Sequence, residues 1–170
     1  MDTVKKPAIP ALICILAVVI IIPVVSIMIL RAHSDNSLGK AVTDIESVSL
    51  RLSGMRLTEE YELTVIGGRT EISYYTMSYA NGGEEKILRK RTDCGTQEVI
   101  DALNGVDFVK WNGFHGSHPK GVSDGTTFTL TAALNGGQEL RASGSQNFPK
   151  RFHEFEQWLC GLLRDVPEIG

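Results

Sequence analysis

The distribution of apolar and polar residues divides the chain into one continuous apolar run and a longer part with alternating patterns. Residues 7–30 contain no charged side chain. At a rise of about 1.5 Å per residue, a helix of this length crosses a hydrocarbon core of roughly 30 Å. The run therefore predicts one transmembrane helix, in contact with the lipid bilayer through residues 7–30, after a short N-terminal tail at residues 1–6.

Six stretches beyond residue 44 alternate between apolar and polar positions, which is the period-2 pattern of half-buried strands. In the first of them, Val48, Leu50 and Leu52 alternate with serine and arginine. Gly-Gly and Asn-Gly pairs between several stretches supply the positive φ angles that tight hairpins need. The pattern predicts strands around residues 48–52, 61–65, 71–79, 86–90, 128–134 and 140–142.

Two further segments have the spacing of helices that bury one face. The first is predicted to begin with Thr96 as its N-cap and to end near Gly105. The second is predicted to have Asn147 as its cap and Pro149 in its first turn. The apolar faces consist of Val99, Ile100 and Leu103 in the first helix and Phe152, Phe155, Leu159 and Leu162 in the second.

This order of elements predicts an α+β fold. The expected architecture is an antiparallel sheet of about six strands with two helices packed on one face, preceded by one transmembrane helix. Residues 31–44 are polar and are predicted to form a juxtamembrane linker. Residues 45–170 then form a single globular domain, which is long enough for one hydrophobic core.

The apolar run is interpreted as an uncleaved signal anchor rather than a cleaved signal peptide. A secretory h-region has about 7–15 apolar residues followed by small ones, whereas Arg31 follows this longer run. The flanking charges nearly balance, with Lys5 and Lys6 before the run and Arg31 and Lys40 after it. Because a short basic tail favours the cytoplasm, we expect a single-pass protein of the plasma membrane whose C-terminal domain is extracytoplasmic.

Charge and cysteine content bear on three properties: binding of nucleic acid, disulfide formation and binding of metal. The formal net charge is −3 at pH 7, so we expect no binding to nucleic acid. Cys94 and Cys160 are the two cysteines beyond the apolar run. They form either one disulfide, if the domain lies outside the cell, or two separate thiols. Neither lies in a C-x-x-C or C-x-x-H arrangement, so this pair predicts no metal site.

The segment Trp111–Gly125 gathers the most reactive side chains of the domain. A metal site there would combine His115 and His118 with Asp124, although a loop without a helix or strand fixes such ligands poorly. The evidence for a catalytic triad of Ser117, His118 and Asp124 is weaker than that for a metal site, because residues so close in sequence rarely reach the geometry of a triad. We therefore assign no catalytic residue and no metal ligand. The candidate ligand-binding set is Trp111, Phe114, His115, His118 and Asp124.

The same segment contains a glycine frame that is similar to a phosphate-binding loop. Gly116 and Gly121 have the spacing of such a loop, but Val122 occupies the position of the lysine. The segment also neither follows a clear strand nor opens a helix, as that motif requires. The sequence therefore predicts that the domain binds neither a nucleotide nor another cofactor.

The stretch Trp111–Phe155 contains W-N-G-F, V-S-D-G-T-T-F-T-L, N-G-G, R-A-S-G-S-Q-N-F-P and a final aromatic helix. In these motifs it resembles a group of uncharacterised bacterial domains on membrane-anchored and lipoprotein-like chains. The resemblance implies an envelope location and an α+β fold, but no activity. It also implies structural roles: Asp124-Gly125 at the start of a strand, Asn135-Gly136 in a hairpin, and Phe148-Pro149 in docking the last helix. The apolar run lacks a lipobox, which departs from the lipoprotein-like members.

No set of residues in the sequence demands catalysis. The sequence thus predicts a membrane-anchored protein whose extracytoplasmic domain binds a protein partner or a ligand at the bacterial cell envelope. The alternative is a membrane-tethered hydrolase or metal-dependent enzyme that uses the loop with His115, His118 and Asp124. That alternative requires the three side chains to converge in a concave pocket.

Overall fold

The structure is a computed structural model that describes residues 38–80, 83–121 and 124–169. Seven strands form one mixed sheet. They are β1 (Ile45–Ser53), β2 (Thr58–Ile66), β3 (Arg69–Ala80), β4 (Gly83–Gly95), β5 (His115–Gly116), β6 (Thr127–Leu134) and β7 (Gln138–Ser145). Their order across the sheet is β4-β3-β2-β1-β6-β7-β5.

Helical segments cover one side of this sheet. They are α1 (Thr96–Gly105), a short 3₁₀ helix (Phe108–Trp111) and α2 (Phe152–Leu163). The inward side chains of the central strands and the apolar sides of these helices belong to one buried cluster, in which Leu50 and Leu130 are 0% exposed. Because strand side chains alternate between the two faces, the polar residues of the same strands lie on the opposite, uncovered face.

The prediction of a six-stranded antiparallel sheet is wrong in two respects. The sheet has a seventh strand, β5, and this strand pairs in parallel with β7. The sequence analysis placed residues 115–125 in a loop, because two residues are too few to show an alternating pattern. The six expected strands are present, and most are longer than their apolar alternation indicated.

A close approach of two backbones makes β5 possible. Its residues His115 and Gly116 pair with Ser143 and Gly144 of β7. A Cβ atom added to Gly116 would lie 2.3 Å from the carbonyl oxygen of Asn147, and one added to Gly144 would lie 2.2 Å from the same atom. Glycine at both positions is therefore a steric requirement of this edge of the sheet.

The transmembrane helix of the fold prediction is not shown. It falls on residues 7–30, which lie outside the described residues. Among the residues that the structure does describe, no helix is long and apolar enough to cross a membrane.

The starts of both long helices differ from the prediction. Thr96 is the first residue of α1 rather than its cap, and its hydroxyl donates to the carbonyl of Gly68. Helix α2 begins after Arg151, which has a left-handed φ of 65°, so Asn147 is not its cap. On α2 the residue that closes the buried face is Leu163, while Leu162 is only partly buried.

Residues 41–44, assigned to the linker by sequence, are tied to the domain by two asparagine side chains. The Asn104 amide accepts from the Val42 N–H and donates to the Val42 carbonyl, both at 2.8 Å. The side-chain Oδ1 of Asn135 accepts from the N–H groups of Thr43 and Asp44. Val42 is itself 2% exposed. These hydrogen bonds hold residues 42–44 against the sheet and the first helix.

Candidate ligand-binding face

The uncovered face of the sheet carries an array of hydroxyl groups across β1, β6 and β7. Strand pairing aligns them in rows: Ser53 beside Thr127 and Ser145, then Thr129 beside Ser143, then Ser49 beside Thr131. The alternation of these strands directs all of them away from the helices. We call this array the hydroxyl face; it comprises Ser47, Ser49, Ser53, Thr127, Thr129, Thr131, Ser143 and Ser145.

Two shallow depressions lie on the hydroxyl face. One, of about 330 Å³, lies over β1, β2, β6 and β7 between Ser49, Thr131 and Glu139. The other, of about 320 Å³, lies beside β5 and is lined by His115, His118 and the hydroxyl face itself. We call the second depression the histidine groove. Together they give the face room for an extended ligand.

Each histidine of the groove contacts a serine of β7. The Nδ1 atom of His115 lies 3.1 Å from Oγ of Ser143, and Nδ1 of His118 lies 2.7 Å from Oγ of Ser145. Either partner can donate, depending on the tautomer of the ring. Parallel pairing of β5 with β7 brings these side chains together from positions 28 and 27 residues apart.

The structure does not bring Asp124 into this arrangement. Asp124 is exposed and is not among the residues that line the histidine groove. Across the described residues, no group of three or more His, Cys, Asp and Glu side chains is placed to hold a metal ion. The proposed combination of His115, His118 and Asp124 as one set of ligands therefore has no support in the geometry.

The two aromatic residues of the predicted ligand-binding set belong to the interior. Trp111 is 2% exposed, and its indole N–H donates to the carbonyl of Lys150 at 3.1 Å. Its ring packs against Phe152 and Phe155. Phe114 is partly buried against Phe128, with ring centroids 6.1 Å apart. Both side chains therefore stabilise the fold beneath the groove.

Beyond the hydroxyl face, the uncovered side of β2, β3 and β4 carries paired charges. Lys86 contacts Glu60 at 3.0 Å and Glu62 at 2.5 Å, and its ammonium lies 4.1 Å from the centroid of the Tyr75 ring. Partial burial lowers the pKa of Lys86, but hydrogen bonds to these two carboxylates outweigh it and leave that pKa above its usual value. The cation is therefore already neutralised by neighbours on its own face.

A separate cleft of about 240 Å³ lies on the helical side of the sheet, at the end of α2. The Tyr74 hydroxyl donates to Glu59 at 2.6 Å, and the Tyr61 hydroxyl lies 3.6 Å from Sγ of Cys160. Burial, together with these hydrogen bonds, raises the pKa of both tyrosines above the usual range. Both phenols therefore stay protonated at neutral pH; Tyr74 donates to Glu59, and either atom can donate in the contact between Tyr61 and Cys160.

The two cysteines of the domain are both free thiols in the structure, so no bond joins them. Cys94 is 8% exposed, and burial raises the pKa of its thiol. Cys160 is exposed at the cleft. The reactive thiolate is thus disfavoured at Cys94 by its surroundings.

Ser143 and Ser145 are the site residues that sequence reasoning missed. They belong to β7, which extends to Ser145, whereas the predicted strand ended at residue 142, so nothing connected these hydroxyls with the histidines. Of the hydroxyl face, only Ser49, Thr129 and Thr131 lie within the predicted strands. Its continuity depends on β1, β6 and β7 lying side by side, which the alternation does not specify.

The chain was compared with protein families, curated proteins and solved structures. No protein-family model, no curated protein and no solved structure matches it. The resemblance of Trp111–Phe155 to envelope domains stays a prediction.

Proposed function

We propose that this domain is a binding module of the bacterial cell envelope that holds an extended, uncharged polar ligand, a glycan strand, on the hydroxyl face. One observation carries the proposal: seven of the eight hydroxyls of this face align in three cross-strand rows, and no helix among the described residues covers them. Each hydroxyl is both a donor and an acceptor. A sugar chain presents the same groups and can exchange hydrogen bonds along the array.

The charges of this region favour a neutral ligand over an ionic one. Arg141, beside Thr131, is paired with Glu139 at 2.6 Å. Arg51, beside Thr129, is paired with Glu84. Because these cations already have carboxylate partners, an anionic ligand on this face would gain little electrostatic attraction and would find mainly hydroxyl groups.

Replacing Thr129 and Thr131 together with valine is expected to weaken glycan binding roughly tenfold. Valine keeps the β-branched shape but removes two hydroxyls, and a hydrogen bond contributes about 0.5–1.5 kcal/mol. The measurement is isothermal titration of the full chain with tetrasaccharides of N-acetylglucosamine and of glucose. Thr92→Val, on β4 and outside the hydroxyl face, is the matched control and should bind as the wild type does. Absence of binding by both sugars, or equal affinity of the double variant, would overturn the proposal.

The two histidine–serine contacts favour one second candidate, a hydrolase. A serine whose hydroxyl proton passes to Nδ1 of the neighbouring imidazole can attack an ester or amide carbonyl. The favoured pair is His115 with Ser143, because the parallel pairing of β5 with β7 places these two residues opposite each other. Under this alternative, wild-type protein hydrolyses p-nitrophenyl acetate and the Ser143→Ala variant loses that activity, while sugar binding is absent from both.

The location is also a proposal: the plasma membrane, with the described domain outside. It rests on the charge-free sequence of residues 7–30. In intact cells that express the full chain with Cys14→Ser, a membrane-impermeant maleimide is expected to label Cys160, which is exposed. Labelling should disappear when Cys160→Ser is added, because Cys94 is 8% exposed and its raised pKa slows reaction. Labelling only after permeabilisation would place the domain in the cytoplasm.

A further inference from the structure

Strand β4 forms one margin of the sheet. On its inner side it pairs with β3, with one irregularity in register between Tyr74 and Tyr75 that leaves Arg89 without a partner in β3. On its outer side, the one backbone hydrogen bond found among the described residues runs from the Ile169 N–H to the Arg89 carbonyl, at 2.7 Å. A long strand with outward-facing peptide groups is a template for pairing with another strand. Among the described residues, backbone pairing covers this edge at one residue, Arg89.

The charges of residues 84–90 are self-complementary when the strand runs against itself. The sequence reads Glu-Glu-Lys-Ile-Leu-Arg-Lys, with acids at its start and bases at its end. In antiparallel pairing about Ile87, Glu85 faces Arg89. Opposite charges in facing positions stabilise a strand pair, and like charges destabilise it.

Glu85 and Arg89 have no ion-pair partner among the described residues of their own subunit. Glu85 is exposed and makes no ion pair with any described residue. Arg89 donates to the hydroxyl of Thr76 at 2.8 Å but contacts no carboxylate within the described part of the chain. Ile87 and Leu88, between them, are partly exposed apolar side chains. Pairing would neutralise the first two and bury more of the others.

We propose that β4 pairs antiparallel with β4 of a second copy of this chain, about a two-fold axis at Ile87. Glu85 then faces Arg89 of the partner subunit, and Ile87 faces Ile87 of the partner subunit. The symmetry is closed, since each contact occurs twice. The Arg89 carbonyl exchanges the Ile169 donor for a donor of the partner strand.

Charge reversal tests this dimer through sedimentation velocity of the full chain at several concentrations. We expect Glu85→Arg and Arg89→Glu each to raise the dissociation constant at least tenfold, because each creates two like-charge contacts. The double variant Glu85→Arg with Arg89→Glu should return to within a few-fold of the wild type, since both pairs are then reversed. Arg56→Glu, in the exposed β1–β2 turn, is the matched control and should leave the dimer unchanged.

Disulfide capture reads the register directly. In a background with Cys14→Ser and Cys160→Ser, Ile87→Cys should form an interchain disulfide on mild oxidation. Facing residues of an antiparallel pair have Cα atoms about 4.5–5.5 Å apart, within the range a disulfide spans. Thr92→Cys, away from the axis, should give none. A wild-type chain that stays monomeric, a dimer unaffected by either single charge reversal, or a double variant as weak as the singles would overturn the proposal.

Discussion

The Gly144→Ala variant is expected to unfold at a much lower urea concentration than the wild-type protein. A Cβ atom at this position would lie 2.2 Å from the Asn147 carbonyl oxygen and 2.7 Å from Cε1 of Phe128. Adding a methyl group to a packed interior costs about 1–3 kcal/mol and occasionally more. Because one contact is with backbone that has no rotamer to change, we expect a loss at or above the upper end of that range.

The measurement is urea unfolding of the full chain, followed by tryptophan fluorescence, since Trp111 is buried in the core. Gly161→Ala is the matched control. A Cβ at Gly161 meets no atom within 4 Å, and the residue lies in α2. Alanine there should stabilise the protein by about 0.5–1 kcal/mol. If Gly144→Ala has a wild-type midpoint, the close approach of β5, β7 and Asn147 is wrong.

Truncation of Phe155 to alanine is expected to lower the free energy of unfolding by about 3–5 kcal/mol. Phe155 is 1% exposed and joins α2 to the 3₁₀ helix through edge contacts with Phe108 and Trp111, at centroid distances of 5.5 and 6.0 Å. Its removal leaves a cavity among rigid aromatic rings that have little freedom to collapse. Since domains are stable by about 5–15 kcal/mol in total, much of the native stability would be lost.

Two further variants separate the cavity effect from a general effect on α2. Phe155→Leu should recover a large part of the loss, because leucine refills most of the space. Gln157→Ala, on the exposed side of the same helix, should change stability by no more than about 0.5 kcal/mol. Equal midpoints for Phe155→Ala and Gln157→Ala would contradict the assignment of Phe155 to the core.

The alternating pattern was a good guide wherever a strand is half-buried. Val48, Leu50 and Leu52 are each at most 5% exposed, and the polar residues between them lie on the other face. The same reasoning placed Phe152, Phe155 and Leu159 on the buried side of the last helix. In both cases one face is apolar and the other polar, so the period of the sequence reports burial directly.

Prediction of the candidate site from sequence was less successful. Trp111 and Phe114 were grouped with His115 because they are close along the chain, yet Trp111 belongs to the core and Phe114 is partly buried against it. Aromatic side chains next to polar ones are compatible with either a binding surface or an interior. Ser143, which contacts His115, lies 28 residues away, and no local pattern connects the two.

By itself the sequence determined where most strands and both long helices lie, and which side of each is buried. Those properties depend on the spacing of apolar residues within one segment. The tertiary structure alone decided that β1, β6 and β7 are neighbours, that β5 joins β7 in parallel, and that their hydroxyls form one face. These outcomes depend on contacts between residues far apart in sequence, including the fit of Gly116 and Gly144 against the Asn147 carbonyl. Local periodicity carries no information on such contacts.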